Sequence, residues 1–220
     1  GCSALEHVDD LYSLTRLEYD VFSHCVSLIS VDCSDKLTAI GSSAFFGCKA
    51  LVSIGDLSNV TSIESSVFRG CIALKSIGNI PKLESIGMQC FMGCTALETV
   101  GDLSSLKEIP SETFDGCTSL VSIGDLSNVT IIGSYGFNQC KKLTSIPNLG
   151  SLERVDQFAF SGCESLALLG NLRKLTSFGN SPFVNSPFHN CPNLVLEVLP
   201  DSAAEQYAKN YSMRYTYITE

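Results

Sequence analysis

The pair Phe-x-x-Cys recurs through this 220-residue chain at a fixed spacing of 23 residues. Its phenylalanines are Phe22, Phe45, Phe68, Phe91, Phe114, Phe137 and Phe160. A constant period over this many copies predicts a repeat protein whose units fold alike and pack mainly against their neighbours. After each cysteine an apolar residue returns at every third position, as at Leu51, Ile54, Leu57, Val60 and Ile63. That spacing fits neither a helix nor a long strand, so it predicts short strands joined by tight turns.

The repeat therefore predicts a right-handed solenoid of 23-residue coils with one or two narrow parallel sheets. Stacking is required because a single coil cannot bury its apolar side by itself. We place one strand of each coil on L-x-x-I, as in residues 51–54, and a second extended piece on residues 60–63. A helical turn is expected to carry Phe-x-x-Cys.

The two ends of the chain depart from the regular repeat. Residues 1–5 match residues 70–74, so the chain begins inside a repeat; either upstream repeats were removed or the first coil is bare. Phe188 follows Phe160 by 28 residues, which locates a five-residue insertion at residues 180–188. This segment is either a bulged terminal coil or a loop shaped for binding. We assign the repeats to residues 1–199 and a C-terminal cap to residues 200–220.

The predicted cap consists of a helix followed by a strand. Ser202 and Glu205 have the spacing of a capping box, and Tyr207 and Tyr211 lie on one helical face with neighbouring alanines. Met213, Tyr215 and Tyr217 then alternate with polar residues as in a strand. Such a segment would cover the last coil, whose open edge would otherwise pair with other chains.

Charge and hydropathy exclude several classes of partner. The chain is 45% hydrophobic and carries 23 acidic against 14 basic residues, for a net charge of -9. It therefore has enough apolar residues to fold, and its field repels phosphate backbones and anionic lipid. No apolar run approaches the roughly 18 to 20 residues that a bilayer span needs. We expect no nucleic-acid partner, no membrane insertion of this chain, and a monomer.

The segments LTAIG at residues 37–41 and AFFGC at residues 44–48 resemble the BspA-type leucine-rich repeat, a family of bacterial surfaces and some protozoa. The resemblance covers nearly all of residues 1–199, and LPDSAAEQYAKNY at residues 199–211 looks like the family's closing segment. One departure is IGDL at residues 54–57, where the family usually has I-x-L-P, which leaves the extent of the strand open. The resemblance implies a leucine-rich-repeat solenoid, extracellular or cell-surface display, and adhesion to proteins of host or neighbouring cells. It implies no catalytic residue.

Nine of the eleven cysteines occupy a single repeat position, which we call the cysteine ladder. Its members are Cys2, Cys25, Cys48, Cys71, Cys94, Cys117, Cys140, Cys163 and Cys191. We favour buried thiols beside the phenylalanines, although disulfides between neighbouring coils stay open where Cα atoms approach within about 7 Å. A zinc site needs four converging ligands, and only Cys90 and Cys94 are close in sequence. Cys33 and Cys90 lie outside the ladder, and we expect them to be the more exposed thiols.

A second row consists of Asp or Asn directly after the first strand, which we call the Asx row. It contains Asp56, Asn79, Asp102, Asp125, Asn148 and Asn171. Stacked carboxylates could attract calcium, but side chains that bond their own backbone at a turn explain both residue types. No phosphate-binding loop, nucleophile motif or histidine pair is present in the sequence. We therefore expect neither an enzyme nor a bound metal or cofactor.

The candidate binding residues are the small polar side chains of the first strand. One register is shared by Ser30, Ser53, Ser76, Thr99, Ser122 and Ser145, and we call the five residues from Ser53 to Ser145 the serine row. Lys75 and Glu98 directly precede two of them. These residues would form a continuous face for a protein or glycan partner, or they merely suit tightly stacked strands and bind nothing. The two functions left open are a binding module and a structural spacer within a larger surface protein.

Overall fold

The computed structural model describes residues 1–9, 11–179 and 186–219. These residues form a parallel-strand solenoid of about nine coils. Each regular coil contributes one strand to each of two rows, and the rows run along two sides of the stack. The predicted solenoid of short parallel strands is therefore confirmed, although each of its two rows is divided into more than one sheet.

The first row is divided into three parallel sheets, β1-β3-β5, β7-β9-β11 and β13-β15-β17-β18. Its strands are β1 (His7–Val8), β3 (Ser30–Val31), β5 (Ser53–Ile54), β7 (Ser76–Ile77), β9 (Thr99–Val100), β11 (Ser122–Ile123), β13 (Ser145–Ile146), β15 (Leu168–Leu169), β17 (Val195–Val198) and β18 (Arg214–Tyr217). The second row has the sheets β2-β4-β6-β8 and β10-β12-β14-β16. Its strands are β2 (Arg16–Leu17), β4 (Ala39–Ile40), β6 (Ser62–Ile63), β8 (Ser85–Ile86), β10 (Glu108–Ile109), β12 (Ile131–Ile132), β14 (Arg154–Val155) and β16 (Ser177–Phe178).

The strands of the regular coils are shorter than the sequence predicts. The first strand covers Ser53–Ile54 rather than residues 51–54. The amide of Leu51 donates to the carbonyl of Cys48 at 3.1 Å, so the first half of L-x-x-I still belongs to the preceding turn. Only the second half is free to pair with the neighbouring coil.

The Phe-x-x-Cys segment forms a single turn between the two rows. The amide of Cys48 donates to the carbonyl of Phe45 at 3.1 Å, which closes the turn. Gly47, between them, has a φ of +69°, and the equivalent residue of other coils is also left-handed. A left-handed residue stops a right-handed turn from continuing, so the segment does not grow into a helix.

The phenylalanine rings of successive coils stack on one another inside the solenoid. The rings of Phe91 and Phe114 have centroids 5.3 Å apart and lie within 3° of parallel, and both are buried. The spacing is 5.2 Å between Phe114 and Phe137 and 5.3 Å between Phe137 and Phe160. Each ring therefore meets the ring of the coil before and the coil after, so removing one ring affects both neighbours.

The insertion near residue 180 leaves this stack intact. Phe188 occupies the next place, with its ring centroid 6.0 Å from that of Phe160. In the sequence, 28 residues separate the two rings instead of 23. Residues 180–185 of the proposed insertion lie outside the described part of the chain.

The C-terminal helix α1 (Ala203–Asn210) and strand β18 follow the last coil. Ser202 caps the helix, because its hydroxyl accepts from the amide of Glu205 at 3.2 Å. The Glu205 carboxylate accepts from the amide of Asp201 at 2.9 Å. In a standard capping box it would accept from the amide of the N-cap residue, Ser202. Tyr207 stacks on Phe178 with ring centroids 3.9 Å apart, so the helix covers the end of the apolar interior.

Candidate interaction surface

The structure brings the serine row together on one side of the solenoid. Parallel pairing places Ser76 opposite Thr99 and Thr99 opposite Ser122. Ser53, Ser76, Thr99 and Ser122 are exposed, whereas Ser145 is partly covered and pairs with Leu168. The predicted register and exposure are therefore confirmed for four members, and the row changes character at its C-terminal end.

The hydroxyls of the serine row have no partner within the described part of the chain. None of the five forms a side-chain hydrogen bond there. The coil spacing of the phenylalanine stack, 5.2 to 5.4 Å, sets the interval between successive coils. The result is a regular series of hydroxyls, each able to donate and accept one further hydrogen bond.

A matching row on the other side of the solenoid behaves differently. We call Thr38, Thr61, Thr130 and Thr176 the threonine row; each lies directly before a strand of the second row. Their hydroxyls donate to the carbonyl of the equivalent residue one coil earlier, at 3.0 to 3.4 Å. The threonine row therefore uses its hydroxyls to join neighbouring coils.

Lys75 and Glu98 occupy equivalent positions in neighbouring coils, next to the serine row. Both side chains are exposed. The amide of Glu98 donates to the carbonyl of Lys75 at 2.8 Å, and in the described residues their side chains form no ion pair with each other. Opposite charges are thus displayed side by side with their charged ends in solvent.

The aspartates of the Asx row stabilise the turns in which they lie. Asp56 accepts from the amide of Ser58 at 2.8 Å with one carboxylate oxygen and from the Ser58 hydroxyl at 2.9 Å with the other. Asp102 and Asp125 make the same pair of bonds to the serines two residues later. The turn interpretation is therefore confirmed for the aspartates. Within residues 1–9, 11–179 and 186–219, no group of three or more His, Cys, Asp or Glu side chains is placed to hold a metal ion.

Most of the cysteine ladder is buried and forms a repeated hydrogen bond. The Sγ of Cys94 donates to the carbonyl of Phe68 at 3.0 Å, and Cys48, Cys71, Cys117, Cys140 and Cys163 donate in the same way to the phenylalanine 26 residues earlier. Burial raises the pKa of Cys94 well above its usual value. Cys2 is exposed and Cys191 is only partly buried. Burial likewise raises the pKa of Cys71, Cys117 and Cys140, so these thiols are packing groups and weak nucleophiles at neutral pH.

The prediction that Cys90 is an exposed thiol is wrong. Cys90 is fully buried, because the residue before each stacked phenylalanine from Phe45 onward packs inside the coil. Ala44, Val67 and Ala159 occupy the same place in other coils and are also buried. Burial raises the pKa of the Cys90 thiol. Cys33 is partly buried, and its pKa is raised to about 11, mainly by burial.

Sequence reasoning missed Phe46, which follows the stacked Phe45 directly. Its side chain is partly exposed at the turn edge of the solenoid, together with Val26 and Ile72. The repeat does not require an aromatic residue there, since Arg69 and Met92 occupy the same place in the next two coils. The sequence does contain a signal for this site, because an aromatic residue stands at a position where the repeat does not require one.

Comparison with known proteins agrees with this architecture. The family model described as BspA type Leucine rich repeat region matches residues 1–98 and 84–194, in six copies. The leucine-rich repeat protein TpLRR of T. pallidum is 24% identical over 98% of this chain and 87% of its own, with a TM-score of 0.61. A leucine-rich repeat protein from Eubacterium ventriosum is 20% identical over 84% of this chain and 62% of its own, with a TM-score of 0.63. No curated protein matches the chain. At these identities the two structures support the fold alone.

Proposed function

The chain belongs to the BspA-type leucine-rich repeat family, and from that premise we propose that it is a non-catalytic binding module. It presents its serine row, with Lys75 and Glu98, to a protein or glycan partner on host or neighbouring cells. The module acts as a monomer, at the cell surface or secreted. No helix in the described part of the chain is long and apolar enough to cross a membrane.

The observation that carries this proposal is the free hydroxyl series on the first row of strands. Parallel strands hold their outward side chains at fixed intervals, so a partner meets the same group once per coil. An exposed hydroxyl that has no internal partner exchanges its water for a ligand atom without breaking any bond of the fold. Small side chains also let a partner approach the strand backbone closely.

Lys75 and Glu98 are proposed to orient the partner. Because both charged groups are exposed, an ion pair that either of them forms with a partner at the rim of the interface should add little to the binding affinity. Binding should therefore depend only modestly on salt concentration. The serine row itself is uncharged, which distinguishes this surface from one that recognises a strongly acidic or basic partner.

Several features support a role without catalysis. Most of the titratable groups with large pKa shifts are the ladder thiols, whose burial suppresses the thiolate that a nucleophile needs. Glu205, whose pKa is lowered to about 2, is held by Lys209 and Tyr217 inside the cap. These shifts follow from packing and capping.

The test screens the protein against extracellular proteins and glycans and then measures the affinity of one hit. Replacing Ser76, Thr99 and Ser122 together with Arg should weaken binding by about tenfold or more, because three bulky cations would cover the hydroxyl series. The matched control replaces Ser62, Ser85 and Ser177 with Arg on the second row. Equal affinity of the wild type and a folded serine-row variant would contradict the proposal.

The stiffness of the stack favours a second role, that of a structural spacer in a larger surface protein. A continuous series of buried rings from Phe45 to Phe160 holds the coils in one line. If the folded protein binds nothing in the screen, the spacer role would stand and the binding role would not.

A further inference from the structure

An apolar groove of about 430 Å³ runs along the turn edge of the second to fourth coils, away from the serine row. Its floor contains Gly47, Gly70 and Gly93, which occupy the position just before the ladder cysteine. Apolar and basic side chains alternate along it. The residues directly before these glycines are Phe46, Arg69 and Met92. The residues two positions after His24, Gly47 and Gly70 are Val26, Lys49 and Ile72.

The groove is open because glycine replaces larger residues at a left-handed position. The same position carries His24 in the coil before Gly47 and Gln139 two coils after Gly93, with φ angles of 56° and 58°. The Gln139 amide lies over Gly162, with Nε2 only 2.3 Å from where a Cβ would stand. Around Gly93 no atom approaches such a Cβ within 4 Å. Gly70 and Gly93 therefore leave room for a side chain, whereas a Cβ on Gly47 would stand 2.9 Å from Nδ1 of His24.

The exposed apolar groups in the groove have no structural role in the repeat. Ile72 is 47% exposed and Val26 is 38% exposed. The Phe46 ring contacts the edge of the His24 ring, with centroids 5.0 Å apart, and the Arg69 guanidinium carbon lies 5.7 Å from its centroid. These neighbours fix the ring in place and leave part of it facing the groove.

The charge of the groove is opposite to that of the protein. Lys49 and Arg69 line it, and no carboxylate does. Neither belongs to an ion pair in the described part of the chain, and Arg69 instead donates to the Gln89 side chain at 2.8 Å. In a chain with a net charge of -9, two basic groups beside an apolar cleft favour a ligand that carries negative charge next to an apolar group.

We propose that this groove binds an acidic peptide segment of a partner protein. An aromatic or aliphatic side chain of the segment lies on Phe46 and Ile72, while its Asp or Glu carboxylates meet Lys49 and Arg69. The proposal goes beyond the role of the serine row, because it concerns another edge of the solenoid and another class of ligand chemistry.

The probe is a short synthetic peptide in which Asp and Glu residues flank one Phe and one Leu. Its binding to the full chain is measured by fluorescence anisotropy at two salt concentrations. One comparison peptide carries Lys in place of the acidic residues, and another carries Ser in place of Phe and Leu. The wild type should bind the acidic apolar peptide more tightly than both, and less tightly at high salt.

Charge reversal at one repeat position provides a matched pair of variants. Lys49→Glu should weaken binding of the acidic peptide by about tenfold or more. Lys141→Glu makes the same change at the same repeat position four coils later, outside the groove, and should leave binding within about twofold. It also removes the exposed ion pair of Lys141 with Glu164, which contributes little to stability. A third variant, Gly70→Gln, copies the residue that the chain itself carries at position 139 and should close the groove. Equal effects of Lys49→Glu and Lys141→Glu would overturn the proposal.

Other occupants of the groove give distinct results. Self-association that Ile72→Glu abolishes, without peptide binding, would mean that a second copy of this chain covers the groove. Binding to anionic vesicles that Lys49→Glu abolishes, without peptide binding, would identify a lipid surface. Either result would overturn the peptide assignment. The triple Arg variant of the serine row should still bind the peptide, so failure of the groove and failure of the serine row are separable.

Discussion

The serine row and the threonine row carry the same hydroxyl group on two sides of the same coils, but only one row uses it within the fold. Thr61 donates to the carbonyl of Thr38 at 3.2 Å, and its amide bonds to the same carbonyl at 2.8 Å. Ser76 lies within its strand, and its hydroxyl has no side-chain partner in the described residues. The difference follows from position relative to the strand.

This comparison separates side chains that hold the coils together from side chains that are available to a partner. A residue just before a strand can direct its hydroxyl along the stack to the previous coil. A serine-row residue within the strand directs its side chain outward from the stack, and its hydroxyl has no side-chain partner in the described residues. Ser30, at the same register in β3, differs because its hydroxyl bonds to Nδ1 of His7 at 2.9 Å. We make four predictions on this basis, from the buried interior to the exposed row.

The largest effect is expected from the buried ring beneath both rows. Phe114→Ala should lower the free energy of unfolding by roughly 3 to 5 kcal/mol, because it leaves a cavity between two stacked rings. Equilibrium denaturation measures this loss, with Val121→Ala as an exposed control from the same coil. A loss below about 1 kcal/mol for Phe114→Ala would contradict the register of the interior.

A smaller, pH-dependent effect is expected at the cap. Hydrogen bonds from Lys209 and then Tyr217 lower the pKa of Glu205 to about 2 from an ordinary 4.5. A lowered pKa stabilises the fold above the unfolded value, so this stability should be lost as pH falls from about 4.5 toward 2. The measurement is the unfolding midpoint from pH 6 down to pH 2 in wild type and Glu205→Gln.

Glu205→Gln removes the charge of one carboxylate and keeps the size of the side chain. Its unfolding midpoint should therefore fall less steeply than that of the wild type in the acidic range. Glu64, whose pKa is lowered mainly by its hydrogen bond from Arg16, titrates in both proteins and cancels in the comparison. Parallel curves for the two proteins would show that the cap does not depend on the charge of Glu205.

Substitutions in the threonine row should lower the stability of the fold modestly. Thr130→Val keeps the shape and removes one hydrogen bond, so the free energy of unfolding should fall by about 0.5 to 1.5 kcal/mol. The carbonyl of Lys107 keeps its bond from the Thr130 amide at 2.9 Å, which limits the loss. Chemical denaturation of the single variant and of Thr61→Val measures it. Unchanged stability in both variants would remove the distinction between the two rows.

The serine row should show the smallest effect on stability. Ser76→Ala and Ser122→Ala remove exposed hydroxyls that bond to nothing else in the described residues, so each should change stability by less than about 0.5 kcal/mol. The same denaturation experiment applies. A loss as large as that of Thr130→Val would show that these hydroxyls also hold the fold, and would weaken their assignment to a partner.

The sequence predicts the interior more completely than the surface. The period of Phe45 and its equivalents gives the coil length, the parallel rows and the buried ladder, because packing demands the same residue in every coil. It does not show that Cys90 points inward, since that depends on how the turn enters the coil. Nor does it distinguish Ser76 from Thr61, whose hydroxyls differ only in what the backbone places within their reach.

The most direct test of the central claim is amide hydrogen exchange, measured with and without a partner found in the screen. The proposed function predicts slower exchange in the partner's presence across Thr99–Val100 and Ser122–Ile123. Exchange across Glu108–Ile109 and Ile131–Ile132, on the second row of the same coils, should not change. Protection confined to the second row, with the serine row unaffected, would contradict the claim that the serine row is the binding face.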